Sequence, residues 1–328
     1  MRYRYFWRLL VSYHINLQRQ YRQDRVVVLG LKMIQAGQVR TYGRALLAVD
    51  SKTGHMLWGT QISKPNTKDY DAGFGVSLAT IPLPPSSSST HNTKAEERVI
   101  VEGTKRGDAF ALDATSGQIL WKFPVGIQYN TDAKVTTNGS GPVWPAPQGG
   151  VQYATTNDNK TAYFAVSNTG PFKFFPTHAD LIFSAKGNGL GKGTVTAVDI
   201  KKGKIKWIYP TEFPLWTSPT VTNGSGHITA TGKPYLFGDV EQPMVTPLNP
   251  SGIIFALDKD TGKKLWEFNV GSPIGAGGPS IGHGMLFVTT GAPRPVPGNK
   301  GGDVIAFGLP SLSSAAENQT QSVGNTTK

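Results

Sequence analysis

Apolar and polar residues alternate over short stretches of this chain, and several stretches end at an aspartate. Val195 and Ala197, for example, lead into Asp199. A period of two is typical of strands, and an aspartate at a strand end can accept hydrogen bonds from the amides of the next turn. A glycine four residues further on supplies the positive φ that a tight reversal needs. The pattern therefore predicts repeated β-hairpins.

Four copies of this pattern share fixed offsets. In each copy an alanine lies two residues before the aspartate, a glycine four after it and a tryptophan eight after it, and the copies end at Trp58, Trp121, Trp207 and Trp266. The tryptophans are roughly 60 to 90 residues apart, a separation that suits four-stranded propeller blades with loop insertions. We interpret the motif as a fastening between blades, in which the tryptophan fills the gap and the alanine leaves room for it.

Composition agrees with an all-β fold and limits the function. The chain has 39 glycines, 23 prolines and only 16% charged residues, which favours many short strands. Cysteine is absent, which excludes disulfides and thiolate chemistry. The net charge is +12, but residues 1–44 hold nine basic residues against one acid, Asp24. The rest of the chain is only mildly basic, so we expect no nucleic-acid partner.

The two ends of the chain differ from the repeat region. Residues 1–25 are basic and apolar, but Arg8 interrupts the apolar run, so they resemble neither a clear signal peptide nor a transmembrane span. Residues 311–328 are polar and predicted to be disordered. Five Asn-x-Ser/Thr sequons, at Asn138, Asn159, Asn223, Asn318 and Asn325, favour an extracytoplasmic location.

The repeat resembles the tryptophan-docking motif of propellers with pyrroloquinoline quinone (PQQ) repeats, over about residues 26–310. The order of "DYDAGFGVSLATIP", the Trp121 repeat and "PQGGVQYATTNDNKTAYFAVSN" is most similar to that of the polyvinyl-alcohol-dehydrogenase-like quinoproteins. The resemblance implies an all-β propeller of four-stranded blades.

About five blades are recognisable in the sequence. The first ends near Trp58, the next three span Asp71–Phe123, Gly149–Trp207 and Trp216–Trp266, and the fifth lacks the tryptophan half of the motif. The family closes with seven or eight blades. We therefore expect a partial or truncated propeller, with an open arc or an unusually small propeller as alternatives. Another chain that completes the ring is a further possibility.

Blade order predicts that function gathers in the unrepeated segments at one face: the connections after each tryptophan strand and the loops between second and third strands. The family resemblance implies PQQ and Ca²⁺ as cofactors there, an alcohol of low molecular mass or a polymeric one as substrate, and an external electron acceptor. The implied cofactor residues are Lys105, Gln152, Asn168, Trp216 and Arg294. Asp71 and Asp239 are the candidate catalytic bases and Glu241 the candidate Ca²⁺ ligand, although any of these acids could take either role.

Each assignment has an alternative. The acids, Lys105 and Arg294 also fit solvated loop side chains, and Trp216 also fits packing between blades. Two departures weaken the enzyme interpretation: the family's vicinal cysteine pair is absent, and Pro273, Ile274 and Gly275 stand where a tryptophan is common. The leading hypothesis is a PQQ-dependent alcohol dehydrogenase-like protein. The alternatives are a non-catalytic scaffold of the cell envelope and a carbohydrate- or polymer-binding propeller.

Overall fold

The computed structural model describes residues 26–30, 45–63, 68, 70, 72, 75–82, 96–147, 149–174, 191–222, 226–232, 252–272, 274, 278–290 and 302–308. Every regular element in these residues is a strand, which confirms the predicted all-β class. Within them, no helix has the length and apolar character needed to cross a membrane. The predicted segments 1–25 and 311–328 lie outside the described residues, and these boundaries stay predictions.

The strands form five antiparallel sheets, which we call blades 1 to 5 in chain order. Blade 1 has β1 (Val26–Gly30), β2 (Ala45–Asp50) and β3 (Met56–Gln61), and blade 2 has β4 (Ser77–Pro82), β5 (Glu96–Gly103), β6 (Asp108–Asp113) and β7 (Ile119–Pro124). Blade 3 has β8 (Thr156–Asn157), β9 (Thr161–Thr169), β10 (Gly191–Asp199) and β11 (Lys204–Thr211).

Blade 4 has β12 (Thr220–Val221), β13 (Gly226–Gly232), β14 (Gly252–Asp258) and β15 (Lys264–Asn269), and blade 5 has β16 (Ser280–Gly282), β17 (Met285–Thr289) and β18 (Val304–Gly308). In every blade, consecutive strands are neighbours. Blades 2 to 4 therefore have the predicted four strands. Blades 1 and 5 show three strands in the described residues, and β18 is the last strand that the structure describes.

The repeated aspartate closes each turn as predicted. Asp50 Oδ1 accepts hydrogen bonds from Lys52 N at 2.9 Å and from Thr53 N at 2.8 Å. Asp258 Oδ1 does the same with the amides of Asp260 and Thr261, at 3.1 and 2.8 Å. These bonds satisfy turn amides that have no partner in the strand ladder, and they direct the chain into the outer strand.

The repeated alanine lies directly opposite the repeated tryptophan in the ladder. Ala48 pairs with Trp58, and Ala111 with Trp121; the equivalent pairs in blades 3 and 4 are Ala197 with Trp207 and Ala256 with Trp266. A small residue at that position leaves space beside the indole. This register confirms the role predicted for the alanine.

Each docked tryptophan contacts the turn of the next blade. Trp121 Nε1 donates to Ile200 O at 2.7 Å, and a Cβ added to Gly203 would lie 2.7 Å from Trp121 Cγ. Blades 1 and 2 repeat this contact through a Trp58 Nε1 bond to Ala114 O at 3.1 Å, and blades 3 and 4 through a Trp207 Nε1 bond to Lys259 O at 3.0 Å. The inter-blade fastening is therefore present three times in the described residues.

Trp266 makes a different set of contacts. Its ring is stacked on Phe268, with ring centroids 6.2 Å apart, and meets Phe307 of β18 edge-on at 5.4 Å. The third strand β6 of blade 2 is almost entirely buried, whereas residues alternate between exposed and half-buried along β18. Among the described residues, β18 has no outer strand or following blade beside it, and its side chains are correspondingly more exposed.

Apolar side chains fill the space between neighbouring blades. Val99, Val101 and Ala111 of blade 2 pack with Phe164 and Val166 of blade 3 in one fully buried cluster. Smaller clusters join blade 1 to blade 2, blade 3 to blade 4 and blade 4 to blade 5. The hydrophobic core is therefore a series of layers between sheets.

A polar contact adds to the layer between blades 3 and 4. Asp158 accepts hydrogen bonds from the backbone amides of Lys160 and Thr161, at 3.0 and 2.7 Å, and from the Tyr163 hydroxyl at 3.2 Å. Lys259 Nζ of blade 4 lies 3.7 Å from Asp158 Oδ2. Burial alone would raise the pKa of Asp158, but these hydrogen bonds and the Lys259 charge outweigh it, so the pKa is lowered overall.

Trp121 packs on Gly203, whereas no described residue packs on Gly54. Alanine at these two equivalent positions should therefore lower the free energy of unfolding by different amounts. Gly203 has φ of +59° with Trp121 against it, whereas Gly54 has φ of +71° with open space around it. Gly54→Ala should cost about 1 kcal/mol from backbone strain, and Gly203→Ala about 3 kcal/mol because the methyl group also displaces the indole. Urea unfolding measures both free energies, and equal losses would contradict docking.

The contact around Asp158 predicts a pH-dependent contribution to stability. The pKa of Asp158 in the folded chain lies below its ordinary 3.8, so the stabilisation is complete well above pH 3.8 and is lost as the pH falls through the folded value. Asp158→Asn should lower Tm at pH 7, and the gap from wild type should narrow as the pH is lowered through 3.8 and below. Thermal unfolding across this range measures it; a gap that is constant with pH would refute the assignment.

Candidate functional site

Blades 2, 3 and 4 are joined to one another at one end by hydrogen bonds to main-chain carbonyl groups. Val151 N donates to Thr104 O at 2.9 Å, and Gly150 and Ser167 exchange amide-to-carbonyl bonds at 2.7 and 2.9 Å. Ser167 Oγ then donates to Leu215 O at 2.7 Å. The β5–β6 turn, the residues after Gly149, the end of β9 and the approach to β12 therefore lie next to one another.

Lys105 lies in the β5–β6 turn, as predicted, and its residue is only 4% exposed. The alternative of an exposed loop charge is therefore wrong for this lysine. Its carbonyl oxygen would lie 2.2 Å from a Cβ on Gly150, whose φ is +72°. Only glycine allows the chain after Gly149 to pack so closely on the turn. The turn that carries the Lys105 ammonium group is therefore held in place by the chain that leads into the next blade.

Gln152 and Asn168 are both buried, and both hold main chain. Gln152 Nε2 donates to Gly149 O at 2.6 Å and to Pro147 O at 3.3 Å. Asn168 Oδ1 accepts from Ile127 N at 2.8 Å. Asn168 belongs to β9 and not to the loop after it, because β9 continues to Thr169. The structure gives these amides a structural role, and their role toward a cofactor stays a prediction.

Trp216 follows Leu215 on the approach to blade 4 and is half-buried. It lies four residues before β12, just as Gln152 lies four residues before β8. Thr217, the next residue, is fully buried. Trp216 is therefore placed at the same end of the blades as Lys105, joined to it through Leu215, Ser167 and Gly150.

Four predicted site residues lie outside the described residues: Asp71, Asp239, Glu241 and Arg294. The chain on either side of Asp71 is described. The Tyr70 hydroxyl donates to Pro145 O at 2.7 Å, and Ala72 forms an isolated bridge with Thr104, the residue before Lys105. The catalytic roles of Asp71 and Asp239, the metal role of Glu241 and the carboxylate-binding role of Arg294 stay predictions.

The described residues provide only part of what the predicted cofactors need. A planar ligand with three carboxylates suits the Lys105 ammonium and the Trp216 ring. No group of three or more histidine or acidic side chains that could hold a metal ion occurs in the part of the chain that the structure describes. The described residues therefore include a cation and an aromatic ring of the kinds that a quinone needs, and they do not by themselves form a Ca²⁺ site.

Sequence reasoning missed the carboxylate of Glu102. This residue lies in β5, three positions before Lys105, and is only 1% exposed. The available signal was a charged residue directly after Val99, Ile100 and Val101, inside an apolar strand. A carboxylate kept in such a position is expensive in free energy, so buried carboxylates tend to mark functional or tightly paired sites.

A second missed feature is a lobe formed by residues 127–147 and 170–174. Its core contains Tyr70, Val143, Ala146, Phe172 and Phe174, and burial raises the pKa of Tyr70, which keeps its hydroxyl a neutral donor.

Arg106 joins the lobe to blade 2. Its Nη2 donates to Thr131 Oγ1 at 2.8 Å, and its Nη1 lies 3.7 Å from Asp108 Oδ2. Asp108 also accepts from Gln128 Nε2 at 2.9 Å and lies 3.8 Å from Lys122 Nζ. The lobe is therefore attached to blade 2 through the residue that follows Lys105, at this end of the blades.

Comparison with known proteins agrees with this architecture. The sequence profile of the PQQ family, described as "Glucose/ethanol/alcohol dehydrogenase, beta-propeller domain", matches residues 34–148. A quinoprotein ethanol dehydrogenase of Pseudomonas aeruginosa is 24% identical over 275 residues, covering 71% of this chain and 39% of that protein. A polyvinylalcohol dehydrogenase of Pseudomonas sp is 24% identical over 264 residues, covering 73% of this chain and 36% of that protein.

A solved structure shows the same fold at lower identity. A quinohemoprotein alcohol dehydrogenase from Pseudomonas putida HK5 superposes with a TM-score of 0.56 at 16% identity, over 81% of this chain and 42% of that one. The chain thus spans less than half the length of these relatives. Residues 34–148 therefore match the PQQ β-propeller domain family, and the chain is distantly similar to the quinoprotein alcohol dehydrogenases, polyvinylalcohol dehydrogenase included.

Proposed function

We propose that this chain is the PQQ-binding part of a quinoprotein alcohol dehydrogenase, which oxidises an alcohol and passes the electrons to an external acceptor. The observation that carries the proposal is the buried lysine Lys105, held on a rigid turn where three blades meet. A lysine ammonium group in this position can form a charge-assisted hydrogen bond with a quinone carboxylate.

The neighbouring residues support distinct roles at this site. The half-buried Trp216 offers a flat apolar surface at the same end of the blades as Lys105. Asp71 is the preferred base, because both of its chain neighbours are fixed against this end, Tyr70 through Pro145 and Ala72 through Thr104. Asp239 is the second candidate base. A carboxylate here would accept the hydroxyl proton of the alcohol as the C–H bond breaks.

PQQ, when bound, supplies the two-electron acceptor for the alcohol. Lys105 and Arg294 would bind its carboxylates, and Gln152 and Asn168 hold main chain at the same end of the blades as Lys105. Glu241 is the candidate ligand for Ca²⁺. Because the described residues hold no three-ligand set, we derive no step through the metal.

The remaining parts of the proposal concern the complete protein. The described residues form five blades, of which the first and last show three strands each. This arrangement suits part of a seven- or eight-bladed ring that is completed by further chain or by a partner. The sequons support an extracytoplasmic location, and a small or polymeric alcohol is the proposed substrate.

Replacement of Lys105 tests the proposal. Titration of the full chain with PQQ, followed by quinone absorbance, should saturate in the micromolar range, and Lys105→Met should weaken binding by at least about tenfold through loss of a charge-assisted contact. Lys134→Met is the matched control, because Lys134 is exposed in the lobe and should leave binding unchanged. Tm of each variant shows whether the fold is retained.

Dye reduction then tests catalysis separately. Chain that has bound PQQ and Ca²⁺ should reduce a dye when a primary or secondary alcohol is added, and Asp71→Asn should abolish reduction while PQQ still binds. Saturable binding without turnover would contradict the dehydrogenase role. No saturable binding at all would overturn the proposal and favour the scaffold hypothesis.

A further inference from the structure

The ends of blades 3 and 4 that lie opposite the candidate site carry a row of exposed lysines. Strand β10 runs from Gly191, at the site end, to Asp199 at the other end, a length of about 25 to 30 Å. We call this surface the lysine rim and define it by four exposed residues: Lys160, Lys201, Lys204 and Lys263.

Tryptophan docking makes the lysine rim one continuous surface. Ile200 N donates to Lys160 O at 2.9 Å, which joins the β8–β9 turn to the β10–β11 turn. Trp207 Nε1 and the Tyr163 hydroxyl both donate to Lys259 O, at 3.0 and 3.2 Å, which brings the β14–β15 turn of blade 4 against blade 3. The lysines of two blades therefore face the same solvent.

The acidic groups of this surface are already engaged. Asp199 and Asp258 turn their carboxylates toward turn amides, through Lys202 N at 2.8 Å and Thr261 N at 2.8 Å. The ion pairs on this surface are Asp199 with Lys202, Asp158 with Lys259, Asp260 with Lys259 and Glu267 with Lys264. None of the four rim lysines has an ion-pair partner among the described residues.

Exposed aliphatic side chains lie beside these lysines. Ile205 follows Lys204 and is 43% exposed, and Leu265 follows Lys264 and is 54% exposed. Blade 2 presents Ile119 and Leu120 at the equivalent position, but its turn from Asp113 to Gln118 contains no lysine. Blade 1 also has an exposed lysine in this turn, Lys52, followed by exposed Met56 and Leu57, so exposed lysines with aliphatic neighbours occur at this end of blades 1, 3 and 4 and not in the turn of blade 2.

We propose that the lysine rim docks on an anionic phospholipid surface. Lysine ammonium groups would contact headgroup phosphates, while Ile205 and Leu265 enter the interface between headgroups and acyl chains. A flat bilayer suits side chains that come from successive blades at one level. The docked chain would hold the candidate site on the face turned away from the lipid, about one strand length from the membrane.

Vesicle co-sedimentation of the full chain tests this docking. Binding should be clear with vesicles of 70% phosphatidylcholine and 30% phosphatidylglycerol, weak with pure phosphatidylcholine, and reduced at 0.5 M salt because screening weakens exposed charges. Joint replacement of Lys201 and Lys204 by glutamine should lower the partition coefficient by roughly 20-fold, since each lysine contributes a factor of about five.

A matched pair controls for net charge. Lys134 and Lys192 are exposed and lie at the site end, so their joint replacement by glutamine should change binding by less than about twofold. Ile205→Ser with Leu265→Ser should weaken binding while its salt dependence remains. Equal losses in both lysine pairs, or equal binding to both vesicle types, would overturn the proposal.

Discussion

The contact between an indole and the turn glycine of the next blade is the constraint on which the rest of this structure depends. Trp121 can lie on Gly203 only because that residue has no side chain, and its Nε1 can reach Ile200 O only because the turn reverses at that glycine. The same contact orders blades 1 to 4 in sequence. Since each contact involves only one motif and the next, the segments between motifs are free to vary in length and composition.

Because only the motifs are constrained, the two ends of the blades differ in how far their sequences repeat. The turns that receive tryptophan are nearly identical in backbone and differ mainly in exposed charge, which is why blades 3 and 4 can carry lysines where blade 2 carries none. At the opposite end the segments are unrepeated, and main-chain bonds among Thr104, Val151, Gly150 and Ser167 hold them. A rigid frame of this kind can position single-copy side chains such as Lys105 without using the repeat itself.

Residue type and blade order predicted Lys105 in a turn between second and third strands, and the structure confirms that position. They failed to predict its burial, because burial comes from the chain after Gly149 packing on the turn. The amides of Gln152 and Asn168 were assigned to a cofactor from residue type alone, yet they hold Gly149 O and Ile127 N. Arg106 and Tyr70 were not predicted to anchor the lobe. The lobe sequence has no hydrophobic period from which its contacts could be predicted.

The sequence by itself determined the hairpins, the turn aspartates, the order of the blades and the tryptophan fastening. Each of these depends on residues a few positions apart, and steric and hydrogen-bonding rules relate such spacings directly to structure. It also marked where one blade lacks the second half of its motif. Only the tertiary structure decided which side chains at the site end are buried, how the 127–147 lobe is attached, and that lysines of separate blades form one surface. Those properties depend on contacts between residues tens of positions apart, whose distances no local pattern fixes.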